Sequence, residues 1–320
     1  MTAEHQAPPW IGPSGQRMER LEFHITYHCP EKCVFCSEEH RMVAYHSFPV
    51  TFARVATVLR QQAERGVRHV HFTGGEPTIH PQFPEILRLA RKLGMRTSIG
   101  TIGTKLADPD FAEEVLPFLD EALFSLHGPD AETHDALTRR KGSFDRVTRA
   151  LANARKQPGF RIFVNSVLTN RNIHRFVELT QMVRAEGAEL QVISNLTPEG
   201  AGEDNYAGLT VRLPEISALA PKLVEVAGPM ILRFFGVPLC VLGPLRLYSN
   251  DLHWNPRVTV EWVPQPGKIS LEGIYSWTPE RKREQPALCG RCTQRGLCFG
   301  AFGQYLKTYG ESELLPLEPV

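Results

Sequence analysis

The chain has 320 residues, 42% hydrophobic and 22% charged, with 36 basic against 35 acidic side chains and a formal net charge of +1. That length can bury a sizeable core, as one large domain or as one domain with an appendage. The even charge balance gives no overall field to draw the protein onto nucleic acid or an anionic membrane.

Residues 1–20, broken by Pro8, Pro9, Gly12, Pro13 and Gly15, read as a flexible lead-in, with neither a signal peptide nor an anchor expected. No run approaches the ~20 apolar residues that span a bilayer, so a cytoplasmic protein is expected, with no nucleic-acid or membrane partner. From Leu21 onward, short apolar runs alternate with amphipathic stretches. Strands are predicted at Leu21–Thr26, His69–Thr73, Thr97–Thr101, Ala122–Leu126, Arg161–Leu168 and Glu189–Ser194. Helices are predicted over Thr51–Arg65, Phe83–Leu93, Phe144–Lys156 and Ile173–Glu186; in the last, Leu179, Met182 and Val183 keep the spacing of a buried stripe. Gly66, Gly94 and Gly187 fall where helices should end. The basic run from Arg139 to Arg161 lies on a helical pattern and reads as a solvated face.

Six β-then-α repeats imply a parallel sheet with right-handed crossovers, either an open doubly wound sheet or a full or partial barrel. A helix over Pro214–Val226 ends this region, and a boundary is placed near residue 212. Beyond it, prolines and glycines break the chain into short pieces, with a hairpin expected from Val258–Val263 and Lys268–Leu271. So loop-rich a tail, residues 213–320, calls for a metal staple.

The seven cysteines are grouped: Cys29, Cys33 and Cys36 near one end, Cys289, Cys292 and Cys298 near the other, and Cys240 between. Clustered thiols in a reducing compartment point to metal, not to disulfides. The first three follow the first strand, at the sheet edge where parallel α/β folds bind ligands. Three thiolates leave one iron of a [4Fe–4S] cube open, as a catalytic site requires. Zinc with His28 or His40 as fourth ligand, or a ferredoxin-like carrier, is the alternative.

The spacing C-x3-C-x2-C, with Phe35 before the last cysteine, resembles the signature of the radical S-adenosylmethionine (SAM) superfamily. Gly74-Gly75-Glu76-Pro77, at the end of the second strand, resembles that family's Gly-Gly-Glu-Pro motif, which holds the SAM amino group. The resemblance implies a partial (β/α)6 TIM-type barrel with a small loop-rich iron–sulfur domain after it. It also implies a [4Fe–4S] cluster on Cys29, Cys33 and Cys36 that cleaves SAM to a 5′-deoxyadenosyl radical, with Phe35 near the adenine.

Looser matches propose Ser125 and Arg139 as SAM contacts, although His127 stands where relatives carry an acid and Ile102 replaces an asparagine. The tail, C-x2-C-x5-C with Cys240 upstream, resembles the SPASM and twitch auxiliary-cluster domains. It implies a second [4Fe–4S] cluster on Cys240, Cys289, Cys292 and Cys298, a structural zinc being the alternative. A peptide substrate undergoing maturation is the leading expectation, with an electron donor such as flavodoxin or ferredoxin. A small-molecule (nucleotide or sugar) dehydrogenase, cyclase or epimerase is the second, and a non-catalytic metal-binding carrier or scaffold the third.

Overall fold

The computed structural model describes residues 17–265 and 268–317, together with Ile11 and Gly15. Nine strands form one sheet: β1 (Arg20–Thr26), β2 (His69–Gly74), β3 (Arg96–Thr101), β4 (Glu121–Ser125), β5 (Arg161–Leu168), β6 (Leu190–Asn195), β7 (Ile231–Phe235), β8 (Arg257–Gln265) and β9 (Lys268–Ser276). Their order is β7-β6-β5-β4-β3-β2-β1-β8-β9, and every pair is parallel except the β8–β9 hairpin.

Alternation along each strand sorts the two faces. In β5, Ile162, Val164, Ser166 and Leu168 are buried on one face, while Phe163, Asn165 and Val167 line a cleft on the other. The helices cover the first face. Helix Phe52–Glu64, capped by the Thr51 side chain, buries Val55, Val58 and Leu59, and helix Phe83–Lys92 buries Phe83, Ile86 and Leu87. Residues from β1 through β8 share the cleft, so the sheet curls around it as an incomplete barrel whose end strands, β7 and β9, stay unpaired with each other. The partial TIM-type architecture implied by the family resemblance is present. The sixth crossover extends it to a seventh parallel strand: helix Leu213–Ala227 packs on helix Phe176–Ala185 and leads to β7 beside β6. The sheet therefore continues past residue 212, and β8 closes onto β1 from the other side.

The tail is tied to the barrel by a buried ion pair. Arg283 Nη1 lies 2.7 Å from Asp251 Oδ2, both side chains fully buried, and the same guanidinium donates to the Gly300 carbonyl at 2.9 and 3.2 Å. That holds the antiparallel pair β10 (Arg283–Glu284) and β11 (Ala301–Phe302), and Phe302 packs against Gly236. Removing one partner strands a buried charge, so Arg283→Met should lower the unfolding free energy by about 3–5 kcal/mol in denaturant titration. A loss below 1 kcal/mol would mean that water reaches Asp251. Among the described residues, no helix is long and apolar enough to cross a membrane.

Candidate active site

The loop after β1 carries Cys29, Cys33 and Cys36, and all three line a cleft of about 2380 Å³, counting its open mouth. Three neighbours seat the loop. Lys32 and Val34 donate their N–H groups to the carbonyls of Thr138 and Leu137, at 3.0 and 2.9 Å. Ala201 N–H donates to the Cys36 carbonyl at 2.9 Å, from a turn where a Cβ on Gly200 would stand 2.4 Å from that same oxygen. From β2, Gly75 N–H donates to Thr26 O and Glu76 N–H to His28 O, each at 2.8 Å.

The paired glycines owe their place to that last contact. A Cβ on Gly74 would lie 2.3 Å from Thr26 O, and one on Gly75 2.0 Å from His28 O. They admit the backbone of the cysteine loop, so their first task is to seat the loop that bears the thiols. Glu76 locks the turn to the end of β3. It is fully buried; Oε1 accepts from Thr78 N–H at 3.1 Å, from the Thr78 hydroxyl and from the Thr101 hydroxyl at 2.8 Å, while Oε2 accepts from Ile102 N–H at 2.8 Å. Burial raises its pKa against those hydrogen bonds. Only Oε2 keeps spare capacity toward a ligand in the cleft.

Phe35 lines the cleft edge-on to His127, ring centroids 4.6 Å apart, and Ser125 lines it from the end of β4. His127 accepts the Val167 N–H on Nδ1 at 3.2 Å, and burial drives its pKa far down, so it is neutral with its proton on Nε2. Arg139 falls elsewhere: it is exposed, is not among the residues lining the cleft, and ends helix Ala131–Thr138 in a left-handed conformation at φ 54°. Arg139 thus stands at the end of a helix, outside the residues that line the cleft. Arg281, from the tail, does line the cleft and pairs with Glu199 at 2.6 Å.

Behind Cys33 runs a buried polar chain that the motifs did not reveal. Cys33 Sγ donates to Glu31 Oε2 at 3.6 Å, the Ser143 hydroxyl donates to Glu31 Oε1, and His134 Nε2 meets Ser143 Oγ at 3.1 Å. The His127 N–H donates to His134 Nδ1 at 3.1 Å, so His134, neutral because burial pushes its pKa down to about 4, turns its own proton toward Ser143. Burial also pushes Glu31 up to about 7 and all three thiols up, Cys36 to about 11 and the other two further. Bare thiolates are thus disfavoured here, and a cationic metal centre is the natural compensation.

The four remaining cysteines converge. Cys240, Cys289, Cys292 and Cys298 line one cavity of about 360 Å³ with Leu239, Leu288 and Leu314. Cys298 Sγ accepts the N–H groups of Leu239 and Gly300, at 3.5 and 3.4 Å. Among the described residues, any three sulfurs of either set include a pair more than 4.8 Å apart. The edge of a zinc–thiolate tetrahedron is about 3.8 Å, from zinc–sulfur bonds of about 2.3 Å. The sulfurs of either set are spread more widely than that edge.

Residues 23–183 match the family model described as the radical SAM superfamily. The chain is 28% identical over 202 residues to the PqqA peptide cyclase of Xanthomonas campestris pv. campestris (strain B100), covering 63% of this chain and 52% of the cyclase. It is 30% identical over 172 residues to the GTP 3′,8-cyclase of Chlorobaculum tepidum, covering 52% and 51%. The chain thus spans about half the length of the curated relatives it matches. In fold it is similar to Streptococcus suis SuiB bound to S-adenosylmethionine, with a TM-score of 0.60 and 15% identity over 94% of this chain and 76% of SuiB. A cysteine loop seated on a Gly-Gly-Glu turn, at one end of a curled parallel sheet whose first half matches that model, shows that the chain belongs to the radical SAM superfamily.

Proposed function

We propose that the protein cleaves SAM reductively and abstracts a hydrogen atom from a peptide. The observation that carries this is three cysteine thiols on one short loop, opening into a cleft with no fourth cysteine beside them. Cys29, Cys33 and Cys36 would hold a [4Fe–4S] cluster with one open iron. When bound, the reduced cluster supplies the electron that converts SAM into the 5′-deoxyadenosyl radical.

This chain's own groups do the rest. Gly74 and Gly75 seat the loop, and Glu76 Oε2 is the acceptor placed for the SAM ammonium. Phe35 offers an edge for the adenine, while Ser125 and, beside Phe35, His127 Nε2 present hydrogen-bond donors. Cys240, Cys289, Cys292 and Cys298 would hold the auxiliary [4Fe–4S] cluster, four thiolates closing all four irons. Oxygen-sensitive clusters and seven free thiols support a reducing, cytoplasmic setting, with flavodoxin or ferredoxin as electron donor.

The peptide reading rests on the likeness to a peptide cyclase and on a large cleft whose lining runs from the cysteine loop to Arg20 at the start of β1. A nucleotide substrate is the second reading, favoured by the 30% identity to a GTP cyclase. The test is anaerobic reconstitution with iron and sulfide, then dithionite and SAM. Release of 5′-deoxyadenosine with about eight irons per chain is expected. A loaded first cluster that releases none would leave only a metal carrier, and about four irons with one zinc would turn the tail into a structural zinc site.

A further inference from the structure

The cleft has a second polar end. Arg20 opens β1, in register with His69 of β2, and Arg257 stands beside it on β8, where Leu21 pairs with Val258. Both arginines line the cleft. Arg20 Nε is buried without a hydrogen-bond partner, and among the described residues no carboxylate comes within 4.0 Å of its guanidinium. Arg257 reaches Glu22 Oε2 at 3.2 Å and lies over the Trp254 ring at 4.1 Å, yet its Nε is also buried and unpartnered.

The neighbouring charges leave this end positive. Glu121 is already engaged by Arg96 at 3.3 Å and Arg161 at 3.6 Å. His69 and His71 share the Ser98 hydroxyl, at 2.8 and 2.9 Å. Burial, reinforced by Arg20, holds them down at about 4 and about 3, so both are neutral. Two guanidiniums against the single carboxylate of Glu22 leave one excess positive charge. Arg20 is half-buried, Glu22 and Glu121 favour its charge only from beyond ion-pair distance, and its guanidinium is left to pair with a carboxylate brought into the cleft.

We propose that Arg20, flanked by Arg257, is a carboxylate-binding floor of the substrate cleft, and that the substrate carries one acidic side chain seated there. The assignment of that carboxylate to a peptide rests on the function proposed above. One excess charge matches one carboxylate. A nucleotide polyphosphate would bring several negative charges against Glu22, and the floor is not built to neutralise them. The floor lies six residues of β1 below Thr26, about 20 Å along the barrel at ~3.3 Å per residue. It is remote from the cysteine loop, so it anchors and selects the substrate while the reacting atoms sit at the other end.

The experiment uses the full-length protein and two blocked tripeptides, acetyl-Ala-Glu-Ala-amide and acetyl-Ala-Gln-Ala-amide, with binding read by calorimetry. The glutamate peptide should bind at least about tenfold more tightly than its glutamine twin. Arg20→Gln should erase that difference, and Arg20→Lys should keep part of it. Equal binding of the two peptides, no binding of either, or an undiminished preference in Arg20→Gln would overturn the proposal. So would GTP binding in an Arg20-dependent manner and more tightly than the glutamate peptide, which would make the floor a phosphate site.

A second measurement needs no ligand. Because no carboxylate pairs directly with Arg20, Arg20→Met should unfold at a midpoint no lower than that of the wild type, and a lower midpoint would show that the guanidinium is satisfied internally. Neither measurement involves SAM cleavage. A protein that bound the glutamate peptide through Arg20 but released no 5′-deoxyadenosine would sink the radical chemistry and leave this site standing.

Discussion

A variant with Cys29, Cys33 and Cys36 all replaced by alanine is expected to release no detectable 5′-deoxyadenosine and to lose about four irons per chain. The loss should be complete because these are the only three cysteines on the loop, and the cleft around them offers no substitute thiol. The tail set should keep its metal. It lines a separate cavity, and Cys298 is held by backbone N–H groups of Leu239 and Gly300, which do not involve the first loop. Iron analysis beside the cleavage assay distinguishes the outcomes. Retention of cleavage would remove the basis for the proposed chemistry, and loss of all iron would mean that the two sets are assembled together.

The second large effect is expected from one methyl group. In Gly75→Ala the new Cβ would stand 2.0 Å from the oxygen, 2.5 Å from the carbon and 3.0 Å from the nitrogen of His28, all of them backbone. Gly75 has no left-handed φ, so the substitution is penalised by collision and not by conformation. To relieve the collision the turn must part from the cysteine loop, breaking the 2.8 Å bonds from Gly75 to Thr26 and from Glu76 to His28. We expect a stability loss of about 1–3 kcal/mol, the usual range for overpacking. Cluster loading and SAM cleavage should fall by more than that alone would cause, because the displaced backbone directly precedes Cys29. Gly208→Ala is the control: a Cβ there meets nothing within 4 Å and its φ is ordinary. If both variants load iron equally, the turn does not seat the loop.

Much of the site was legible because its parts are contiguous. The cysteine spacing and the Gly-Gly-Glu-Pro turn each sit within a few residues at the end of a predicted strand, and those strands formed within a residue or two of their expected bounds. Strand β7 was missed because Ile231–Phe235 is short and lies between Gly228-Pro229 and Gly236, a context that reads as loop. That Arg139 ends a helix outside the cleft lining was not legible, because local spacing carries no information on where a helix-ending residue stands. The meaning of the glycines also needed the fold: their crowding neighbours, Thr26 and His28, lie almost fifty residues away in sequence.

The sequence by itself determined the repeating β/α pattern, the two thiol sets and the turn that marks the family, because local periodicity and side-chain chemistry are written in neighbouring residues. Only the tertiary structure decided that β8 closes against β1, so that Arg257 stands beside Arg20, that Cys240 joins the tail cysteines, and that a buried relay backs Cys33. Those pairings join residues far apart in the chain, and they depend on how far the sheet curls, which no local propensity specifies.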